Sequence, residues 1–150
     1  MVITKQIHAA CIAIDGEGVL LRGPSGSGKS DLALRLINGG GILVADDRVD
    51  LMARSDTVLA SAPESLFGSL EVRGLGVLPF PALKAVRLAL VCDLVSEDEI
   101  ERLPGGREEL ILDTSLALVA IAPFEHSAVL KVQLALKLAI GSIICADDEE

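Results

Sequence analysis

One glycine-rich stretch constrains this chain more than any other part of its sequence. It reads Gly23-Pro24-Ser25-Gly26-Ser27-Gly28-Lys29-Ser30 and fits the pattern G-x-x-x-x-G-K-[ST] at every fixed position. The apolar residues 19–21 precede it as a short strand does, and residues 31–37 carry apolar side chains at helical spacing. A strand, a glycine-rich turn and a helix start in this order predict a phosphate-binding loop.

Each part of this loop has a task in holding phosphate. The glycines let backbone N–H groups turn toward phosphate oxygens, and the start of the following helix adds its positive end. We expect Lys29 to reach the β- and γ-phosphates of a bound nucleotide and the Ser30 hydroxyl to bind Mg²⁺. The alternative is a Gly/Ser-rich turn without a ligand, which does not account for the agreement of both flanks.

Two acidic segments follow the loop. The apolar run 42–45 has the length of a strand and ends on Asp46-Asp47. In phosphoryl transfer one carboxylate serves the metal ion and another accepts the proton of the nucleophile, so we assign Asp46 to the metal and Asp47 to the acceptor. An acidic turn without chemistry is the alternative. Further on, Glu71 and Arg73 share one side of an extended segment and either serve a metal–phosphate site or pair at the surface.

Strand signals outnumber helix signals, which predicts an α/β fold built on a mixed sheet rather than strict β-α-β alternation. A turn signal at Asp15-Gly16 predicts a hairpin that leads into the loop, with His8 in its first arm. Later strands are predicted over residues 86–94, 110–113 and 116–122.

The predicted C-terminal helix covers residues 127–140. Its only polar interruptions are Lys131, Gln133 and Lys137, so we expect most of its circumference to be buried. The acidic residues 147–150 that follow are expected to form a solvated, frayed tail.

Length and composition limit the possible functions. The 150 residues suit one domain, and we interpret residues 1–150 as a single catalytic domain. A net charge of −9 without an aromatic-studded basic patch makes nucleic acid an unexpected partner. The apolar runs fall short of the ~20 residues that span a bilayer, so we expect no membrane association. The three cysteines stand apart in apolar runs and are predicted to be buried thiols of a cytoplasmic protein.

With His8, these segments resemble the bacterial HPr kinase/phosphorylase family over nearly the whole chain. In that family a histidine stands before the loop, the strand after the loop helix reads Val-Ala-Asp-Asp, and a later segment reads Glu-[Ile/Val]-Arg-Gly-Leu-Gly. This chain has Val44-Ala45-Asp46-Asp47 and Glu71-Val72-Arg73-Gly74-Leu75-Gly76. The loop alone indicates a nucleotide binder, whereas the three segments in this order are much more specific.

The resemblance implies a P-loop kinase domain that transfers phosphate from ATP, with Mg²⁺, to a serine of HPr, the phosphocarrier protein of the sugar phosphotransferase system. It also implies a homo-oligomer, because longer members of the family form hexamers. Arg102 is the match to an active-site arginine of the family. The other implied roles are Lys29 on the phosphates, Ser30 and Glu71 on Mg²⁺, Asp47 as general base, and His8 beside the reacting phosphate.

Three differences from the family are visible. Longer members carry an N-terminal domain, and we interpret this chain as a short form that lacks it. Ala9 stands where longer members usually have glycine. The Pro-Val-Arg-Pro-Gly-Arg loop linked to dephosphorylation has no counterpart, since residues 122–126 read Ala-Pro-Phe-Glu-His, and we therefore expect a weak phosphorylase reaction. The alternative functions are a small-molecule kinase or nucleotide hydrolase, and a nucleotide sensor without catalysis.

Overall fold

The structure is a computed structural model that describes residues 4–146. This part of the chain contains eleven strands and two α-helices, with single 3₁₀ turns at Glu64–Leu66 and Glu97–Glu99. The elements are β1 (Thr4–His8), β2 (Ala10–Ile14), β3 (Glu17–Arg22), α1 (Lys29–Asn38), β4 (Ile42–Ala45), β5 (Arg48–Arg54), β6 (Thr57–Ser61), β7 (Ser69–Val72), β8 (Gly76–Pro79), β9 (Val86–Leu94), β10 (Arg107–Ile111), β11 (Thr114–Ile121) and α2 (Ala128–Ala139).

Nine of the strands form one mixed sheet, and β7 pairs with β8 in a separate hairpin. The order along the sheet is β1-β5-β6-β9-β3-β2-β4, while β11 pairs with β9 and β10 with β11. Strand β9 runs parallel to β3 and β11, whereas β2 is antiparallel to both β3 and β4. The predicted α/β fold with a mixed sheet is confirmed.

Apolar layers cover both faces of the sheet. Side chains alternate along the β2–β3 hairpin, so Ile12 and Leu21 join the layer that includes α1 and α2, while Cys11 and Leu20 join the layer closed by β5 and β6. All four side chains are fully buried. Because both faces are covered, these strands read as continuous apolar runs without polar alternation.

Two predicted elements differ from the structure. The strand predicted to reach residue 113 ends at Ile111, because Leu112 and Asp113 adopt φ values of 48° and 65° and form the turn into β11. Helix α2 buries only Ala128, Val132 and Leu136, one stripe at a spacing of four, so the predicted burial of most of its circumference was wrong. Its opposite side exposes a row of leucines, namely Leu130, Leu134 and Leu138.

The predictions on the cysteines, on membrane spans and on the acidic tail have different outcomes. Cys11 and Cys92 are buried as predicted, and burial raises the pKa of the Cys11 thiol to about 12, whereas Cys145 is only half-buried. No helix within residues 4–146 is long and apolar enough to cross a membrane. The predicted acidic tail, residues 147–150, lies outside the described residues.

Candidate active site

Several chain segments meet at one edge of the sheet. Strands β3 and β4 are both antiparallel to β2, so their carboxyl ends lie beside the start of β2. Strands β9 and β11 run parallel to β3 and bring their own carboxyl ends to the same edge. The glycine-rich loop, Asp46-Asp47, His8 and Pro123 all lie at or directly beyond these strand ends. The sheet topology therefore assembles segments that are far apart in the sequence.

The loop between β3 and α1 has the backbone that its glycines predict. Gly26 and Gly28 have φ values of 82° and 100°, in the left-handed region that side chains disfavour. The Ser27 N–H donates to the Pro24 carbonyl at 3.0 Å, and helix α1 begins at Lys29. The predicted order of strand, loop and helix is confirmed, and phosphate binding by residues 23–30 stays a prediction.

Two polar side chains of the loop suit a bound anion. The Lys29 Nζ donates to the carbonyls of Gly23 and Pro24 at 2.6 and 3.0 Å, and it pairs with no carboxylate among residues 4–146. The Ser27 hydroxyl is buried and has no hydrogen-bond partner in the described part of the chain. A buried donor without a partner costs free energy, and phosphate oxygens are acceptors that satisfy such donors.

Asp46 is a buried carboxylate at the end of β4, with 6% of its surface exposed. Its Oδ1 accepts a hydrogen bond from Ser30 Oγ at 2.8 Å, and its Oδ2 accepts one from the Glu71 N–H at 3.3 Å. Burial raises the pKa of Asp46, and the charge of Asp47 adds to the effect, while the hydrogen bonds from Ser30 and from the backbone of Glu71 and Asp47 oppose it. No lysine or arginine of the described residues pairs with this carboxylate. Its position suits a cation.

Asp47 has the opposite environment, since its side chain is exposed and its backbone is left-handed with φ 71°. The Ala9 N–H donates to the Asp47 carbonyl at 3.3 Å, and His8 pairs with Arg48 across β1 and β5. The structure thus brings His8 beside Asp47. His8 ends β1, so its predicted place in the β2–β3 hairpin was wrong: the chain changes partner strand at Ala9.

Glu71 lies on β7 and reaches the site through its backbone. Leu70 is fully buried in the core layer that includes α1, and alternation along the strand leaves the Glu71 side chain exposed. The Glu71 N–H contacts the Asp46 carboxylate. Arg73 lies in the turn to β8, next to Gly74 with φ 89°. No ion pair joins Glu71 to Arg73 within residues 4–146. Of the two alternatives, the surface pair is therefore not formed, and the metal–phosphate interpretation stays open.

Arg102 lies in the segment between β9 and β10 and is not joined to the loop. It is exposed in the irregular segment 100–106 and makes no hydrogen bond or ion pair with any other described residue. This segment follows the end of β9. A Cβ atom added to Gly23 would lie 3.3 Å from the Cβ of Leu94, the last residue of β9. The role of Arg102 stays a prediction.

Magnesium is compatible with these residues. The described part of the chain holds no cluster of three or more His, Cys, Asp and Glu side chains placed around a metal. Mg²⁺ in phosphoryl-transfer sites is bound by one or two protein carboxylates together with waters and substrate phosphates. Ser30 and Asp46, with Glu71 beside them, meet that smaller requirement.

Comparison with known proteins places the chain in a family. Residues 1–115 match the family described as the HPr Serine kinase C-terminal domain. The chain belongs to this family. The HPr kinase/phosphorylase of Geobacillus kaustophilus is 38% identical over 130 residues, which cover 79% of this chain and 42% of that protein. That of Variovorax paradoxus is 41% identical over 105 residues, which cover 65% of this chain and 33% of that protein.

A solved structure, the Hpr(Ser) kinase/phosphatase from Coxiella burnetii, superposes with a TM-score of 0.81 at 26% identity, covering 92% of this chain and 97% of that one. The family resemblance inferred from His8, the loop and the two acidic segments is confirmed. The chain spans less than half the length of the curated relatives given above.

This member of the HPr kinase family also has an ion cluster beside the loop that the sequence did not indicate. Arg22, the residue before the loop, donates from Nε and Nη2 to Asp93 at 2.8 and 3.0 Å and from Nη1 to Glu109. Burial opposes the charge of Arg22, but Glu109 and Asp93 outweigh it and raise the Arg22 pKa. The cluster ties β3 to β9 and β10. No local pattern predicts it, because its members meet only through the order of the strands.

Proposed function

We propose that this protein is an ATP-dependent serine kinase that phosphorylates HPr in the cytoplasm. The observation that carries the proposal is the hydrogen bond from Ser30, the last residue of the loop, to the buried and unpaired Asp46. It joins the glycine-rich loop to a carboxylate that pairs with no cation among residues 4–146, an arrangement that suits Mg²⁺-dependent phosphoryl transfer. Family membership supports the choice of acceptor.

The donor nucleotide would lie along the loop. Lys29 would leave the carbonyls of Gly23 and Pro24 for phosphate oxygens, which are stronger acceptors for an ammonium group. Ser30 and Asp46 would hold Mg²⁺, with the exposed Glu71 carboxylate available beside them. Mg²⁺, when bound, neutralises the charge that develops on the phosphates.

The acceptor would approach from the side of Asp47. The serine oxygen forms a bond to the γ-phosphorus as the bond to ADP breaks, and the proton of the serine hydroxyl passes to a general base. Asp47 suits this role because it is exposed at the same edge, one residue from Asp46. His8, held beside Asp47 by the β1–β5 pairing, would lie next to the transferring phosphate, and Arg102 would have to move in with its segment.

The direct test supplies labelled ATP, Mg²⁺ and HPr from the same cell and locates the label by mass spectrometry. We expect it on one serine of HPr, with none on an HPr variant in which that serine is alanine. Label released as free phosphate, or carried by a small molecule, would support the hydrolase or small-molecule kinase alternative. Tight ATP binding without any turnover would support a sensor.

We also propose that the reverse reaction is weak. Phosphorolysis brings inorganic phosphate close to a phosphoserine, and two anions ~4 Å apart repel by several kcal/mol at an effective dielectric constant near 20. The segment before α2 offers no arginine, and its Glu125 already pairs with Lys131 at 2.9 Å. The release of pyrophosphate from serine-phosphorylated HPr should therefore be slow compared with the forward transfer of phosphate. Similar rates in both directions would contradict the proposal of a weak reverse reaction.

Self-association is the remaining proposal. The exposed leucines of α2 support a homo-oligomer, because a row of exposed apolar side chains on a helix typically marks an interaction surface. Light scattering should show an oligomer for the wild type and a smaller species for Leu134→Glu. An oligomer unchanged by Leu134→Glu would move the interface elsewhere, and a wild-type monomer would reject the assembly.

A further inference from the structure

Phe124 lies directly on the glycine-rich loop and yet is exposed over 71% of its surface. If Gly28 had a Cβ, that atom would lie 3.0 Å from Cζ and 3.3 Å from Cε1 of the Phe124 ring, and 3.4 Å from Cγ of Pro123. The chain has only three phenylalanines and neither tyrosine nor tryptophan, so an aromatic ring at this place is not a common feature of its surface.

The backbone around Phe124 is held on both sides. Pro123 is buried, and its carbonyl accepts a hydrogen bond from Arg35, whose Nε is also paired with Asp31 at 3.0 Å. On the other side, Glu125 pairs with Lys131 of α2 at 2.9 Å. These contacts fix the segment against α1 and α2, so the ring rests on the loop while its outer face stays open to a ligand.

The two sides of the loop differ in chemistry. Ser30 and Asp46 mark the β4 side as the place for the metal ion and the terminal phosphate. Phe124 follows β11, which lies on the other side of β3, beyond β9. A nucleotide with its terminal phosphate beside Asp46 would therefore extend its nucleoside toward the β11 side, where the exposed ring lies.

We propose that Phe124, supported by Pro123 and Gly28, is the surface on which the base of the bound nucleotide stacks. This deepens the proposed function and rests on it, because it takes the donor to be a nucleoside triphosphate. Stacking on an aromatic ring accepts any base, since every base has a π face. ATP and GTP should therefore bind with affinities within a few fold of each other.

The test separates the base from the phosphates. Calorimetry measures the affinity for Mg·ATP and for Mg·tripolyphosphate, which has phosphates but no base, in the wild type and in Phe124→Ala. We expect Phe124→Ala to weaken ATP binding about tenfold, the order found when a stacking side chain is removed, and to change tripolyphosphate binding less than twofold. Phe67→Ala removes another exposed phenylalanine, in the connection between β6 and β7, and should change neither affinity.

Phe124→Trp gives a spectroscopic readout in a chain that has no other tryptophan. It should keep ATP affinity near the wild-type value, and ATP but not tripolyphosphate should quench its fluorescence. Equal ATP affinity in Phe124→Ala and wild type would overturn the proposal, even if the variant lost affinity for HPr. Equal losses for ATP and tripolyphosphate would overturn it as well, since they would mean a damaged loop.

Failure of the proposed function looks different. If Phe124→Ala loses ATP affinity selectively but no phosphate reaches HPr in the wild type, the stacking role stands and the acceptor is wrong. If phosphate reaches HPr and the ATP affinity of Phe124→Ala is unchanged, only the stacking role is rejected. A wild type that binds tripolyphosphate but no nucleotide rejects both.

Discussion

Two sets of carboxylates flank the glycine-rich loop, and they differ in how their charge is balanced. On the β9 side, Asp93 and Glu109 share the guanidinium of Arg22. On the β4 side, Asp46 is more deeply buried than either and has only hydrogen-bond donors around it, with a second acid, Asp47, next in the chain. Within residues 4–146 no cation pairs with Asp46 or Asp47.

The difference separates structure from function. A carboxylate cluster that is already neutralised by an arginine helps to hold the strands together and needs no bound cation. A buried carboxylate without a cation raises the free energy of the folded protein, and such costs are concentrated at sites that bind a ligand of opposite charge. The balance of charge therefore supports the proposal that the β4 side is the reactive one, although both sides are acidic.

The largest effect is expected at the residue that serves the loop itself. Lys29→Ala should lower phosphate transfer to HPr by about 10³-fold, because it removes a charge-assisted contact that stabilises the transferring phosphate. Single-turnover transfer measures this, with thermal unfolding as the check on folding. Near-normal transfer by a folded Lys29→Ala protein would remove the basis of the phosphate-loop assignment.

The matched control for Lys29 is Lys137→Ala. Lys137 is an exposed lysine in the last turn of α2, and the helical rise places it ~14 Å along the axis from the end that adjoins the loop. Arg35, a cation on the α1 surface, is unsuitable because it holds Asp31 and the Pro123 carbonyl. Transfer by Lys137→Ala should match the wild type.

A smaller loss, about 10²-fold in transfer, is expected for Asp47→Asn, since general bases typically contribute at least this much. Its exposed side chain is not joined to the Ser30–Asp46 pair, so the affinity for Mg·ATP should change little. Glu71→Gln should show the reverse pattern, with a higher Mg²⁺ requirement. Calorimetry beside single-turnover assays separates the two, and parallel losses in both variants would contradict the division of roles between metal and acceptor.

The local elements on the β4 side could be predicted from the sequence, whereas the ion cluster on the β9 side could not. The loop, the strand before it and Asp46-Asp47 are local patterns, and the structure joins them as predicted. The Arg22 cluster combines residues that are 71 and 87 positions apart, which meet only because β9 lies beside β3. Strand order follows from the packing of the whole sheet, and no local pattern encodes it.

Helix α2 shows a second limit of sequence patterns. Apolar residues around a whole helix predict burial only if other elements surround it. In residues 4–146 the sheet and α1 cover one stripe of α2, and the leucines of its other side stay exposed. Hydrophobicity indicates that burial of a helix surface is favourable. Whether another element covers that surface depends on how the rest of the structure packs.

On the β9 side the expected effect concerns stability. Arg22→Ala should lower the free energy of unfolding by about 2 kcal/mol, between the values for buried and exposed pairs, because two carboxylates then lose their shared cation. Arg87→Ala is the control, since Arg87 pairs with Glu17 from a more exposed position and should cost less than ~1 kcal/mol. Chemical denaturation measures the free energy of unfolding of both variants. Equal losses would mean that the Arg22 cluster stabilises the fold no more than an exposed ion pair does.

The smallest effect is expected in the pH dependence of stability without ligand, which directly tests the difference between the carboxylates on the β4 side and those on the β9 side. The pKa of Asp46 is raised in the folded protein, so between the ordinary aspartate value of about 3.9 and the raised value the folded state holds a proton that the unfolded state has lost. Stability therefore falls as the pH rises through this window. Asp46→Asn has no such proton, and its amide can still accept from the Glu71 N–H and donate to Ser30.

Asp46→Asn should therefore match the wild type at low pH and exceed its stability at neutral pH, by less than the loss at Arg22 because hydrogen bonds already offset part of the burial cost. Asp93→Asn, the same change on the β9 side, should destabilise at neutral pH because it breaks the pair with Arg22. Denaturation curves at several pH values give both signs. Because Mg·ATP binds the folded state, it should stabilise the wild type more than Asp46→Asn and reverse their order. If both substitutions destabilise the ligand-free protein equally, then Asp46 is a structural acid like Asp93 and the metal site lies elsewhere.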